Sequence, residues 1–213
     1  MSNSFDSLGF ASQYQCTVDP EFPGTGSWSC PTYEFPPGQA PNAAFRSPWG
    51  APLVIRVEPD EGTEWVGFFR AGGIGGLTGA YGCPNLGQIC VSTQGVAYLV
   101  NIDKPTACQA LSLTPVLKIH RVADADLVLL TSFISMLALD RHGPLWITDR
   151  LCLDELEVVA ASVTGILCSG SWLGETERFT LDPASGTVIS GPVFIEDFPQ
   201  FMSKGHRWRR KRD

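Results

Sequence analysis

Three segments of this chain share one pattern, in which an alternating apolar run leads to an aspartate and then to a turn. They cover residues 98–103, 135–140 and 177–182, and successive aspartates lie 37 and 42 residues apart. That spacing is close to the length of a four-stranded blade repeat. Alternation with a period of two is typical of half-buried strands. The pattern therefore predicts an all-β fold built from repeated antiparallel meanders.

The aspartate of each copy is expected to close its turn. An Asp side chain accepts hydrogen bonds from backbone amides in a turn, and Gly adopts the left-handed angles that such turns need. In the two later copies a glycine follows, at Gly143 and Gly186. We therefore predict that Asp103, Asp140 and Asp182 are turn-forming residues.

The segment 138–146, which reads ALDRHGPLW, resembles the blade motif of quinoprotein-type and related β-propellers, in which Asp, Gly and Trp recur along a hairpin. The segment 180–186 is similar but lacks the Trp. Closed propellers use about four to eight blades, whereas this chain has room for two or three. We expect an open set of two to three propeller-blade-like repeats, or a β-sandwich. Nothing matches a quinone or calcium site, so the resemblance implies a strand pattern and no cofactor.

Composition divides the chain into three parts. Residues 1–50 contain seven prolines and nine aromatic side chains, and so many rings are not left exposed in a pure linker. We interpret this segment as an irregular N-terminal arm that covers an edge or face of the main domain, or alternatively as an arm that docks on a partner. Residues 51–203 are expected to form the β-meander domain, and residues 204–213 a basic C-terminal tail.

Two segments of the domain carry further predictions. The run 127–140 is apolar on both faces, and we expect either two strands or one strand with a bulge, buried on both sides. Residues 151–161, which include three acidic side chains, are the best place for one short helix, because negative charge near a helix start complements the dipole.

The net charge of −7 conceals an asymmetry. Residues 204–213 hold six of the fifteen Lys and Arg, which leaves residues 1–203 with nine basic and 21 acidic side chains and a net charge of −12. A nucleic-acid-binding domain places its positive charge on a folded face, so we expect no such partner except through the tail. The tail itself is interpreted as a solvated terminus that could contact phosphate or an acidic partner.

Seven cysteines are present, and none are spaced as Cys-x-x-Cys. Cys90, Cys152 and Cys168 lie in apolar runs, where a free thiol behaves as a small core residue. The first residues lack the features of a secretory signal, so a cytoplasmic location with reduced thiols is predicted. Cys16 and Cys30 are the pair to examine for a disulfide in an exported protein. The longest near-apolar run, 127–139, is too short and polar to span a membrane.

Candidate chemistry is sparse. The glycine-rich stretch 72–79 follows a strand but is not followed by a helix, so loop glycines are favoured over a dinucleotide-binding loop. Three histidines are too few and too scattered for a zinc site, and no metal is predicted. His142 lies beside Asp140, where it could serve as a base oriented by a carboxylate, although solvated turn residues are the simpler interpretation.

Four further carboxylates could flank a sugar, as paired acids do in glycosidases. They are Asp149, Asp154, Glu155 and Glu157. A helix start rich in acids explains them more simply.

These observations favour a non-catalytic cytoplasmic domain that binds another protein. One concrete form is an acidic inhibitor or immunity-type protein that neutralises a basic partner, because the body of the chain is strongly acidic. Two alternatives stay open. One is a hydrolase of a sugar or ester that uses carboxylates and His142, with Asp140 and Asp149 as its candidate residues. The other is a structural subunit that self-associates.

Overall fold

The structure is a computed structural model that describes residues 5–24, 26–73 and 75–193. Within these ranges the chain forms seventeen β-strands, one 3-10 turn at Ala123–Ala125 and no α-helix. The strands belong to four sheets in which most neighbours are antiparallel. The predicted all-β class with antiparallel meanders is therefore confirmed. No helix in the described ranges is long and apolar enough to cross a membrane.

The first two sheets use the N-terminal half of the chain. Its strands are β1 (Phe5–Asp6), β2 (Tyr14–Val18), β3 (Thr32–Phe35), β4 (Leu53–Pro59), β5 (Trp65–Phe69), β6 (Gly79–Gly82), β7 (Gln88–Thr93), β8 (Val96–Asn101) and β9 (Cys108–Ala110). Sheet I has the order β2-β4-β5-β3, and sheet II has the order β1-β6-β7-β8-β9.

The last two sheets are simple meanders, in which each strand pairs with the next along the chain. Sheet III contains β10 (Lys118–Val122), β11 (Leu127–Thr131), β12 (Met136–Asp140) and β13 (Gly143–Ile147). Sheet IV contains β14 (Asp154–Ser162), β15 (Gly165–Trp172), β16 (Glu175–Leu181) and β17 (Val188–Ser190).

The three sequence repeats occupy equivalent places in sheets II, III and IV. Each repeat aspartate lies at the turn between the last two strands of a meander, namely β8–β9, β12–β13 and β16–β17. Sheet I has no such copy, because its strand β3 comes from the N-terminal segment and pairs with β5 in parallel. The structure therefore has four sheets, where the sequence predicted two to three repeats.

Three apolar layers join the sheets in the order I, II, III, IV. The layer between sheets I and II is built on large aromatic side chains, and the other two layers are mainly aliphatic. Since sheet III lies between two layers, β11 is buried along its whole length. Leu129 packs toward sheet IV and Leu130 toward sheet II. The run 127–140 thus forms two strands, β11 and β12, which was one of the two interpretations.

The N-terminal segment contributes strands as well as irregular chain. β1 adds to sheet II beside β6, and β2 and β3 are the two edge strands of sheet I. Part of the same segment covers the outer face of sheet I, where the rings of Phe22 and Phe45 lie 6.5 and 4.9 Å from that of Phe68. The segment therefore lies on sheet edges and on one sheet face, and its prolines interrupt the strands.

The helix predicted for residues 151–161 is wrong. β14 covers most of that range and pairs with β15 from Ser162 opposite Gly165 to Asp154 opposite Ser171. Its acidic side chains are exposed while Leu156 between them is buried. Pairing with the adjacent hairpin and burial of Leu156 outweigh the favourable position of acids at a helix start.

All seven cysteines are free thiols. Cys90 and Cys168 are fully buried, and burial raises the pKa of each thiol to about 12. Cys16 packs in the layer between sheets I and II, whereas Cys30 packs on the outer face of sheet I. Sheet I separates this pair, so a disulfide between them would require rearrangement. The predicted basic tail, residues 204–213, lies outside the described residues.

Candidate functional site

Asp140 and His142 form a turn and are not arranged as an acid–base pair. The Asp140 carboxylate accepts a hydrogen bond from the backbone amide of His142 at 2.7 Å, and the Arg141 side chain donates to Nε2 of His142 at 3.2 Å. Asp140 thus closes the β12–β13 turn, as predicted for a repeat aspartate. Its carboxylate makes no hydrogen bond to the imidazole, which is exposed.

Asp149 lies at the opposite end of strand β13 from His142. The strand begins one residue after His142 and ends two residues before Asp149. Five residues of extended chain span about 17 Å, so the two side chains do not share a site. The hydrolase arrangement suggested by His142, Asp140 and Asp149 is not assembled in this structure.

The remaining carboxylates of that group lie on strand β14. Glu157 reaches across to sheet III and forms an ion pair with Lys118, whose Nζ lies 2.6 Å from Oε2. Asp154 accepts a hydrogen bond from the backbone amide of Glu155 at 2.8 Å. Both groups are engaged in local or inter-sheet contacts.

The two described histidines lie in different parts of sheet III. His120 lies on β10 and is half-buried, and its Nε2 has no hydrogen-bond partner among the described residues. Burial lowers the pKa of His120, and the positive charge of Lys118 adds to that effect. His142 is in the exposed turn. The described ranges hold no group of three or more His, Cys, Asp or Glu placed to bind a metal.

The other two repeat aspartates differ from each other. The Asp182 carboxylate accepts from the hydroxyl of Ser185 at 2.6 Å and the amide of Ala184 at 3.3 Å. These bonds, chiefly that from Ser185, lower the pKa of Asp182. In the first copy Asn101 takes this role, since its side chain accepts from the amide of Lys104 at 2.8 Å. Asp103 is exposed and its predicted turn-closing role is wrong.

The glycine-rich stretch links sheet I to sheet II and packs against the β7–β8 turn. The amide of Gly72 donates to the carbonyl of Thr93 at 3.2 Å. A Cβ at Gly76 would lie 2.5 Å from the carbonyl oxygen of Val116. These glycines permit close backbone contacts, which agrees with the interpretation as loop glycines.

One end of the sheet stack is acidic. Consecutive strands run in opposite directions, so the β4–β5, β8–β9, β10–β11, β12–β13 and β16–β17 turns lie at the same end of their sheets. Two contacts between turns show this alignment: Asn85 donates to the carbonyl of Arg141, and Asp124 accepts from the amide of Val163, each at 3.0 Å.

We call this end the acidic rim. Its turns carry two basic residues, Lys104 and Arg141, and eight acidic ones. The acidic residues are Asp60, Glu61, Glu64, Asp103, Asp124, Asp126, Asp140 and Asp182. The repeat pattern produces part of this asymmetry, because it places an acidic side chain at the same turn of successive sheets.

A groove of about 640 Å³ opens on the acidic rim between sheets I and II. Tyr33 supplies its accessible aromatic ring and packs edge-on against Trp65, which is only 2% exposed, with ring centroids 6.0 Å apart. The Trp65 indole donates to the carbonyl of Ile102 at 3.0 Å, which fixes the ring beside the β8–β9 turn. The other apolar lining residues are Pro31, Pro59 and Pro105.

Three carboxylates line the same groove, and no Lys or Arg does. Glu64 is paired with Arg56, whose guanidinium lies 2.6 Å from Oε2. Glu61 and Asp103 have no ion-pair partner among the described residues. The groove therefore combines an apolar floor with uncompensated negative charge, an arrangement suited to a side chain that carries an apolar stem and a cationic head.

No protein-family model matches this chain, and no curated protein matches it in sequence.

Sequence reasoning missed the groove because its parts are far apart in the chain. Tyr33 comes from the N-terminal segment, Glu61 from the β4–β5 turn and Asp103 from the β8–β9 turn. One signal was visible: the segment 58–64 contains four acidic residues. Asp103 was identified as a repeat residue, but with a turn-forming role.

Proposed function

We propose that this protein is a non-catalytic binding domain that recognises a basic segment of another protein through the groove on the acidic rim. It would act as an acidic inhibitor or immunity-type protein that neutralises a basic partner. The groove carries this proposal, because Glu61 and Asp103 present negative charge with no ion-pair partner among the described residues beside the apolar surfaces of Tyr33 and the lining prolines.

The location we propose is the cytoplasm. Support comes from the seven cysteines, all of which are free in the structure. They stay free although Cys83 and Cys90 are buried in one apolar layer and Cys152 and Cys168 in another. Reduced thiols are the usual state in the cytoplasm. We expect no membrane partner, and nucleic acid only through residues 204–213.

The direct test is binding of a fluorescent hexa-arginine peptide, measured by anisotropy, to the wild-type protein and to the variant Glu61→Gln/Asp103→Asn. Each exposed charge pair contributes about 0.5 kcal/mol, so loss of two should weaken binding about fivefold. Binding should also weaken as salt rises from about 0.05 to about 0.3 M, because exposed charges are screened.

The matched control is Asp149→Asn/Glu175→Gln. It makes the same two chemical changes in exposed residues at the opposite end of the sheets, and it should bind the peptide like the wild type. Equal weakening by both double variants would show that only the overall charge matters, and salt-insensitive binding would contradict the proposal.

The two alternatives have separate tests. A hydrolase should lose activity on generic sugar or ester substrates in His142→Ala or Asp149→Asn. A self-associating structural subunit should sediment as a stable oligomer at every accessible concentration. We place both second, because the candidate catalytic residues lie at opposite ends of β13 and the groove offers a more specific binding surface.

A further inference from the structure

We propose that the groove on the acidic rim binds residues 204–213 of its own chain, so that this basic segment competes with an external basic partner. The inference rests on the proposed function, because it assigns a first occupant to the same groove. It makes the groove a regulated binding site, in which a partner must displace the chain's own segment.

Charge and side-chain chemistry match this segment to the groove. Residues 204–213 carry six Lys and Arg and one Asp, a net charge of +5, while residues 1–203 carry −12. Trp208 lies among the arginines. Cationic side chains on both sides of one aromatic ring can place positive charge beside Glu61 and Asp103 while apolar stems and the ring contact Tyr33.

The covalent connection is long enough. Ten residues, 194–203, separate the last described residue, Val193, from Lys204, and ten extended residues reach at most about 34 Å. Stacked sheets lie about 10 Å apart, so the gap between sheets I and II is about 25 Å from sheet IV.

Val193 is also displaced from the rim along the strand direction. It lies six residues beyond Thr187 of the β16–β17 turn, which is at most about 20 Å of extended chain. Combining the two distances at right angles gives about 32 Å before any separation across the strands is added. The fifteen residues 194–208, which end at Trp208, reach at most about 50 Å. Residues further along the segment reach the groove with slack.

Because the segment is tethered to the domain, a weak contact is sufficient for it to occupy the groove. A short connection produces an effective concentration of about 1 mM. If the same segment supplied as a free peptide binds with a Kd of about 0.1 mM, the tethered segment occupies the groove most of the time and weakens an external competitor about tenfold. A natural partner needs only to bind more tightly than this.

The test uses the full chain and a labelled synthetic peptide with the sequence of residues 204–213. The Kd of the peptide is measured for the wild type and for a neutralised variant, in which Arg207, Arg209, Arg210 and Arg212 are all changed to Gln. We expect the neutralised variant to bind the peptide about tenfold more tightly, because its groove is unoccupied.

Two further variants in the neutralised background locate the binding site. Glu61→Gln/Asp103→Asn should weaken peptide binding about fivefold, and Asp149→Asn/Glu175→Gln should leave it unchanged. Circular dichroism and a urea transition establish that each variant is folded before binding is measured.

Equal peptide affinity of the wild type and the neutralised variant, with the groove variant still weaker, would overturn self-occupation and leave the proposed function standing. Failure of the peptide and of hexa-arginine to bind any form would overturn both. A wild-type protein that oligomerises with concentration, and becomes monomeric when the four arginines are neutralised, would assign the segment to a second copy and contradict occupation within one chain.

Discussion

Replacing Gly72 by alanine tests whether the glycine-rich stretch is a packed connection between sheets I and II. A Cβ at this position would lie 2.6 Å from Cγ2 of Val96 and 2.7 Å from the carbonyl oxygen of Gln94. Both distances are well inside van der Waals contact, and the oxygen belongs to the backbone of the β7–β8 turn. The alanine can be accommodated only if the stretch or the turn moves.

The expected cost follows from these contacts. Overpacking of a closely packed site destabilises the folded state by about 1–3 kcal/mol. The alanine also restricts the unfolded chain, which offsets about 0.5 kcal/mol of that cost. We expect Gly72→Ala to lower the free energy of unfolding by about 2 kcal/mol. With a urea slope of about 2 kcal/mol/M, the midpoint of the urea transition should fall by about 1 M.

Gly24→Ala is the control for this measurement. No heavy atom lies within 4 Å of the Cβ that it would add, and the residue has no left-handed φ. The midpoint of its urea transition, followed by tryptophan fluorescence, should stay within about 0.3 M of that of the wild type. If Gly72→Ala is as stable as Gly24→Ala, the stretch does not pack on the β7–β8 turn and our account of it is refuted.

Two further predictions concern the turns and the half-buried His120. Asn101→Ala and Asp140→Ala should each lower the free energy of unfolding by about 1 kcal/mol, because each variant loses a hydrogen bond to a turn amide. In the same urea assay, Asp103→Ala should change the free energy of unfolding by less than about 0.5 kcal/mol. Stability should fall as the pH drops below about 6.5, the usual pKa of an unfolded histidine, because the folded state holds the pKa of His120 lower and resists its protonation. Between about pH 7 and pH 5, His120→Gln should lose less free energy of unfolding than the wild type. Identical pH profiles of the two proteins would contradict a contribution of His120 to the pH dependence.

The sequence predicted the elements of the fold that depend on local chemistry. The alternating runs that end at Asp140 and Asp182 form strands followed by turns, and in both cases the carboxylate closes the turn. The spacing of the repeats correctly identified meanders. At the first copy the same pattern misled, because the neighbouring Asn101 makes the turn bond two residues before Asp103.

The features that depend on distant parts of the chain were not predictable in this way. Sheet I carries no repeat because β3 joins it in parallel from the N-terminal segment, and a period in the sequence cannot report such a strand. The acids of 154–157 suggested a helix start, but Leu156 between them is buried and β14 pairs with β15. Tertiary packing decided this segment against its local composition.

The groove illustrates the same limit for function. Its carboxylates are ordinary turn residues in the sequence, and they become one surface only because antiparallel meanders bring the β4–β5 and β8–β9 turns to the same end of adjacent sheets. Tyr33 completes the surface from a segment that was interpreted as irregular. The strand directions, more than any motif, create the candidate site.

Our proposed function is that the acidic rim binds basic segments at the groove between sheets I and II. A titration of the isotope-labelled protein with hexa-arginine, followed by amide chemical shifts, tests it most directly. We predict that the shifted amides cluster at residues 60–65, around Tyr33 and in the β8–β9 turn near Asp103. Shifts that spread over the whole surface, or that cluster at the opposite end around Asp149 and the β15–β16 turn, would contradict the account.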